Sequence, residues 1–115
     1  MDPVTAPAPL VPFSTVQDRA RTIVAELLEE TLKGQKYQVS QTQDWINQIC
    51  AQAVNALKKL GAFKLTATCV IVQKTEGGVH AGSAACWEAD RDGCLVERWE
   101  SPEMMALCIV FACSL

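Results

Sequence analysis

The chain has 115 residues, half of them hydrophobic, with a formal net charge of −3. That length sets one domain, large enough to bury roughly two-thirds of its unfolded surface without staples. The ten lysines and arginines are scattered, only Lys58 and Lys59 being adjacent, which argues against a nucleic-acid module.

Residues 1–13 read as a flexible arm, because Pro3, Pro7, Pro9 and Pro12 deny it helix and ladder hydrogen bonds. The domain is expected over residues 14–115. Ser14 or Thr15 is expected to cap a first helix. Its stripe runs through Val16, Ala20, Ile23, Val24, Leu27 and Leu32. Glu26, Glu29 and Glu30 read as its solvated face. Gly34 supplies the helix end.

Ser40 and Gln43 have the spacing of a capping box for a second helix. Trp45, Ile46, Ile49, Cys50, Ala53, Leu57 and Leu60 mark its apolar face. The short connection between the helices places them side by side.

Residues 63–74, FKLTATCVIVQK, are β-branched and apolar, with neither Gly nor Pro, and read as the first strand of an antiparallel sheet. Phe63, Leu65, Ala67, Cys69 and Ile71 share one face. Glu76, Gly77 and Gly78 signal a turn. A strand over residues 80–89, HAGSAACWEA, would show mostly Gly, Ala, Ser and Cys, with Trp87 as its single large anchor. Burying so little apolar area within its own sheet gains little, whereas small side chains let another surface come close. A turn at residues 90–93 leads to a third strand over residues 94–100, where Leu95, Glu97 and Trp99 share one row.

After a break at residues 101–103, the last strand runs over residues 104–115. Its bulky row (Met105, Leu107, Ile109, Phe111, Cys113, Leu115) is expected against the helices. Its small row (Ala106, Cys108, Val110, Ala112, Ser114) is expected to meet something that packs close. The fold class is therefore α+β, two N-terminal helices packed on a four-stranded antiparallel sheet. Its uncovered second face and edges point to a symmetric dimer that shares a strand or a sheet face.

No apolar run reaches the roughly 18 to 20 residues of a membrane helix, so no membrane partner is expected. The first residues, MDPVTAPAPLVPF, lack the pattern of a signal peptide. The expected compartment is the cytosol, where thiols stay reduced. Cys50, Cys69, Cys86, Cys94, Cys108 and Cys113 form no C-x-x-C pair, and His80 is the sole histidine. Structural thiols are expected rather than disulfides or metal ligands, and no cofactor motif is present.

The sharpest enzyme reading is a Cys86 nucleophile served by His80. The two lie six residues apart, roughly 20 Å along one strand, beyond hydrogen-bond reach. No catalytic constellation stands out. An exposed strand edge instead suits addition of an extended peptide, and a two-fold dimer offers two such edges. A structural subunit without a peptide groove is the other alternative.

The residues from about 15 to 115 resemble the Tctex-type dynein light chains. The resemblance rests on Lys59-Leu60-Gly61, Thr68-Cys69-Val70-Ile71-Val72-Gln73-Lys74, Gly78-Val79-His80-Ala81, Trp87, Asp92-Gly93 and Trp99-Glu100, in the family's order. It implies a non-catalytic light chain of a microtubule motor, a homodimer or heterodimer with a related light chain, built by strand exchange. It also implies binding of a disordered segment of dynein intermediate chain. By position the exchanged strand is residues 80–89, with Trp87 as its anchor. The partner groove beside it takes Val79, His80, Gly82, Ser83, Ala84 and Ala85, mainly through their backbone. Two departures stand out, the long proline-rich arm and the Ser101-Pro102-Glu103 break before Met104-Met105-Ala106. The arm suits a specialised role such as an axonemal dynein of a cilium or flagellum, beside the cytoplasmic alternative.

Overall fold

The computed structural model describes residues 10–74 and 92–114. A short 3-10 turn, Phe13–Thr15, leads into α1, Gln17–Leu32. α2 spans Val39–Leu57, and three strands follow: β1, Phe63–Gln73; β2, Asp92–Glu100; and β3, Met104–Ser114. The strands form one antiparallel sheet in the order β1-β3-β2. The α+β layout and the two helices on an antiparallel sheet are as the sequence predicts. Three strands stand among the described residues, and the expected strand over residues 80–89 lies outside them.

The helix starts differ from expectation. Val16 occupies the N-cap of α1 without a side-chain hydrogen bond. Thr15 instead directs its hydroxyl back to the Pro12 carbonyl at 2.7 Å. α2 begins at Val39 with Gln38 as an uncapped N-cap, so Ser40 and Gln43 form no capping box. Gln43 donates to Asn47 Oδ1 at 2.9 Å instead, one turn along the helix. The end of α1 follows the sequence: Gly34 has φ of 77°, which a side chain would strain.

α2 lies over β1, α1 lies over β2, and the helices touch each other. β3 therefore runs beneath the seam between them. The core face of β1 carries Phe63, Leu65, Ala67, Cys69 and Ile71, the alternation expected from sequence. α2 buries Trp45, Ile49, Ala53 and Leu57, with Ile46, Cys50 and Leu60 packed beside them. On α1 the fully buried stripe is Ala20, Val24, Leu28 and Leu32. Leu28, absent from the expected stripe, sits at its centre, while Ile23 and Leu27 lie at its margin.

One face assignment is reversed. Ala106, Cys108, Val110 and Ala112 of β3 face the helices and are buried, whereas the row containing Phe111 turns outward. The cause is volume. Leu28 and Leu32 of α1 and Ile49 and Leu57 of α2 are buried in the same core as this row, and an interior packed at crystal-like density has little room for a second bulky layer there. Small strand residues under large helix residues fill the gap.

The β2–β3 break is a compact turn. Ser101 N–H donates to the Met104 carbonyl at 2.9 Å, and the Ser101 hydroxyl accepts from the Glu103 and Met104 amides. Lys74 N–H donates to the Glu103 carbonyl at 2.8 Å, which ties the end of β1 to this turn. Leu28 is a large, fully buried side chain of α1, so Leu28→Ala is expected to lower unfolding free energy by about 2–5 kcal/mol. Urea denaturation followed by circular dichroism measures it, and a loss below about 1 kcal/mol would contradict the packing described.

Candidate functional site: the outer sheet face and the β2 edge

The residues singled out from sequence as partner-binding (Val79, His80, Gly82, Ser83, Ala84, Ala85 and Trp87) lie outside the described residues, as does Cys86. What the structure positions is the frame around them. Strand register sorts the sheet into two faces, because directly opposed residues point the same way.

The outer face pairs Thr66 with Phe111, Thr68 with Ile109, Val70 with Leu107 and Val72 with Met105 across β1 and β3. Across β2 and β3 it pairs Cys94 with Phe111, Val96 with Ile109, Arg98 with Leu107 and Glu100 with Met105. The centre of this face is aliphatic and aromatic. Val70 is 46% exposed and Phe111 47%, two of the four large hydrophobic side chains so exposed among the described residues.

Charge flanks this face at both ends: Lys64 and Asp92 stand opposite Cys113 at one, and Lys74, Arg98 and Glu100 lie near the β2–β3 turn at the other. Glu100 accepts from Lys74 Nζ at 2.9 Å and pairs with Arg98. The Lys74 hydrogen bond, helped by the charge of Arg98, holds the Glu100 carboxyl below its usual range. Contact with solvent keeps such pairs weak, so they trim the rim of the patch rather than stabilise the fold.

The helix side of β2 has a different character. Leu95 is buried, while Glu97 and Trp99, in the same row, are half-exposed, as their mixed chemistry predicts. Arg21 on α1 reaches Glu97 at 3.4 Å. Trp99 Nε1 donates to Glu29 Oε2 at 2.6 Å. Glu29 therefore has a structural partner across the domain, where sequence alone assigns it to a solvated helix face. The signal was available in part: a strand tryptophan whose row faces a helix needs an acceptor for its N–H. Among the described residues, β2 pairs along one side only, with β3. Its other side is where a further strand can add.

The cysteines divide. Cys69 and Cys108 stand opposite each other on β1 and β3, both buried on the core face, with half-buried Cys50 on α2 nearby. Burial pushes both buried thiols up to about 12, with neighbouring Cys108 and Cys50 adding for Cys69, and Cys50 and Glu97 adding for Cys108. Burial raises Cys50 as well. Thiols held protonated in this way are poor nucleophiles. Cys94 departs from the expectation of free thiols, since it is disulfide-bonded. No group of three or more His, Cys, Asp or Glu among the described residues is placed to hold a metal ion. No helix among them is long and apolar enough to cross a membrane.

These features define a small α+β domain with an apolar outer sheet face beside a β2 edge bonded on one side among the described residues. The chain belongs to the Tctex-1 family, whose model matches residues 14–113. A dog protein named dynein light chain Tctex-type 3 is 35% identical over 96 residues, covering 83% of each chain. The Drosophila melanogaster dynein light chain Tctex-type is 33% identical over 97 residues, covering 84% of this chain and 86% of its own. That of Schizosaccharomyces pombe is 31% identical over 77 residues, covering 62% of this chain and 69% of its own. The family and these relatives support a dynein light chain role.

Because the folded thiol pKa values are raised, folded-state stability from Cys69 and Cys108 is complete below the ordinary thiol pKa and falls as pH climbs towards about 12. At about pH 8, maleimide is expected to leave Cys69 and Cys108 unmodified in the native protein and to label both in urea. Peptide mapping by mass spectrometry reads the difference. Native labelling of Cys108 at the rate of a free thiol would show the site to be open.

Proposed function

We propose that this chain is a non-catalytic dynein light chain that acts as a dimeric adaptor, holding an extended segment of dynein intermediate chain within a microtubule motor. The observation that carries the reading is the pairing of an apolar outer sheet face with a β2 edge bonded on one side among the described residues. Family membership supplies the motor context.

The outer face suits a subunit partner. Val70, Val72, Val96, Leu107, Ile109 and Phe111 lie across three adjacent strands, and contiguous apolar surface of this kind marks an interaction site. A second copy, or a related light chain, would cover it symmetrically. The edge suits an extended peptide, because its alternating N–H and C=O groups accept any backbone and leave specificity to side chains in alternate pockets. Residues 80–89 are the segment we assign to exchange between subunits, with Val79, His80, Gly82, Ser83, Ala84 and Ala85 beside the bound peptide and Trp87 as anchor. Their small side chains support that reading: such a strand gains more from a composite surface than from a private one. The adaptor works at the cytoskeleton, in cytoplasmic or axonemal dynein.

Two expected outcomes test this. Phe111→Lys places a charge at the centre of the outer face and is expected to shift the protein from dimer to monomer in sedimentation velocity at micromolar concentration. A wild-type monomer at that concentration would overturn the dimer. Ala84→Pro removes a ladder donor from the exchanged segment, and is expected to abolish both dimerisation and binding of an intermediate-chain segment in isothermal titration calorimetry. Retained binding in that variant would refute strand exchange.

A further inference from the structure

Phe13 is the least expected member of the core. It comes from the proline-rich arm and precedes the first residue matched by the family model, yet it is 1% exposed. Its ring meets Phe63 of β1 edge to face, with centroids 5.4 Å apart and planes at 83°. Its other neighbour is Gly93, the second residue of β2. A Cβ built on Gly93 would stand 2.3 Å from Phe13 Cδ2, well inside van der Waals contact. No side chain larger than hydrogen fits there while the ring is in place.

The ring is also held from behind. Thr15 N–H and Oγ1 both donate to the Pro12 carbonyl, at 3.1 and 2.7 Å, and Val16 N–H donates to the Phe13 carbonyl at 3.0 Å. This tight turn fixes the backbone on either side of Phe13. Upstream, Val11 packs against the core, and its Cγ2 lies 3.0 Å from where a Cβ on Gly61 would be. Two glycines, one before β1 and one opening β2, thus receive the arm.

We propose that Phe13 is a clamp by which the N-terminal arm fixes the opening of the β2 edge, so that the arm governs how well a further strand adds there. The coupling to strand addition rests on the proposed function; the clamp itself does not. The ring touches β2 at Gly93, two residues before Leu95 enters the core, and joins it to Phe63 on the far strand. A strand edge accepts a partner backbone only while its own ladder is held straight, and the opening of a strand is where ladders fray. Phe13 supplies at that point a contact that β3 alone does not.

The test uses the full chain with Phe13→Ala, Phe13→Leu, Gly93→Ala and the Phe13→Ala/Gly93→Ala double variant. Gly93→Ala alone is expected to lower the thermal midpoint by roughly 5–10 °C, because the new methyl displaces the ring. In the Phe13→Ala background the same methyl enters vacated space, so the further shift is expected to be near zero. Fully additive shifts would overturn the contact. Hydrogen exchange on the protein alone is expected to speed up about tenfold at residues 93–96 in Phe13→Ala relative to amides at the centre of β1, with Phe13→Leu restoring most of the protection. Uniform acceleration across the sheet would overturn the clamp. Calorimetric titration with the intermediate-chain segment is expected to show about tenfold weaker binding for Phe13→Ala than for Phe13→Leu. Selective exchange with unchanged affinity would overturn the coupling to strand addition. A wild type that fails to bind would overturn the proposed function, while the exchange and midpoint data still decide the clamp.

Discussion

Two helices can lie side by side on one face of a narrow sheet only if the strand beneath their seam yields space to them. β3 is that strand, and Ala106, Cys108, Val110 and Ala112 provide the space. Leu28 and Leu32 of α1 and Ile49 and Leu57 of α2 are buried in the same core. Ala106, opposite Ile71, and Ala112, opposite Leu65, continue the complementarity across β1. Large-over-small packing of this sort reaches interior density without strained rotamers. It also fixes β3 at the centre, because an edge position would leave the seam open.

That constraint decides the other face. A strand whose small residues are committed inward must carry its bulk outward, and Leu107, Ile109 and Phe111 stand there with Val70 and Val96 as neighbours. The exposed apolar surface is therefore a consequence of how the core is packed, not an addition to it. Exchanging the two rows would bury Phe111 and leave alanines outside, giving a soluble face but an overfilled core. The packing that folds the subunit also produces the surface by which we propose it assembles.

Much of this was legible in the sequence, and the misses have identifiable causes. The alternation of β1 and the stripe of α2 could be read because each has one polar and one apolar side. β3 could not be oriented in that way, since both its rows are apolar, and size alone pointed to the wrong face. Only the volume already taken by Leu28 and Ile49 decides it, and that is tertiary information. Capping failed for a related reason: Thr15 found the Pro12 carbonyl nearer than the first-turn amides, a local competition that hydroxyl side chains commonly offer. Glu29 was hidden because its partner, Trp99, lies 70 residues away in sequence. For the candidate site, sequence pattern named the segment of small residues, while the outer face became visible only once register had sorted the strands.

The cross-domain polar contacts explain how an edge strand stays in place beside so much apolar surface. β2 is bonded to β3 along one side among the described residues, yet its helix-facing row is tied to α1 twice, through Glu97 to Arg21 and through Trp99 to Glu29. A half-exposed ion pair contributes little by itself. A 2.6 Å hydrogen bond to a carboxylate is stronger, being charge-assisted. The two lie two residues apart on one strand, so α1 acts as a splint along β2. Phe13 adds a contact at the first residues of the strand, against Gly93. An edge supported along its length from one side keeps its backbone N–H and C=O groups in a regular row, and regularity is what an incoming backbone needs in order to pair. The apolar face then excludes water from one flank of the new strand, which makes each added hydrogen bond more favourable than it would be in solvent.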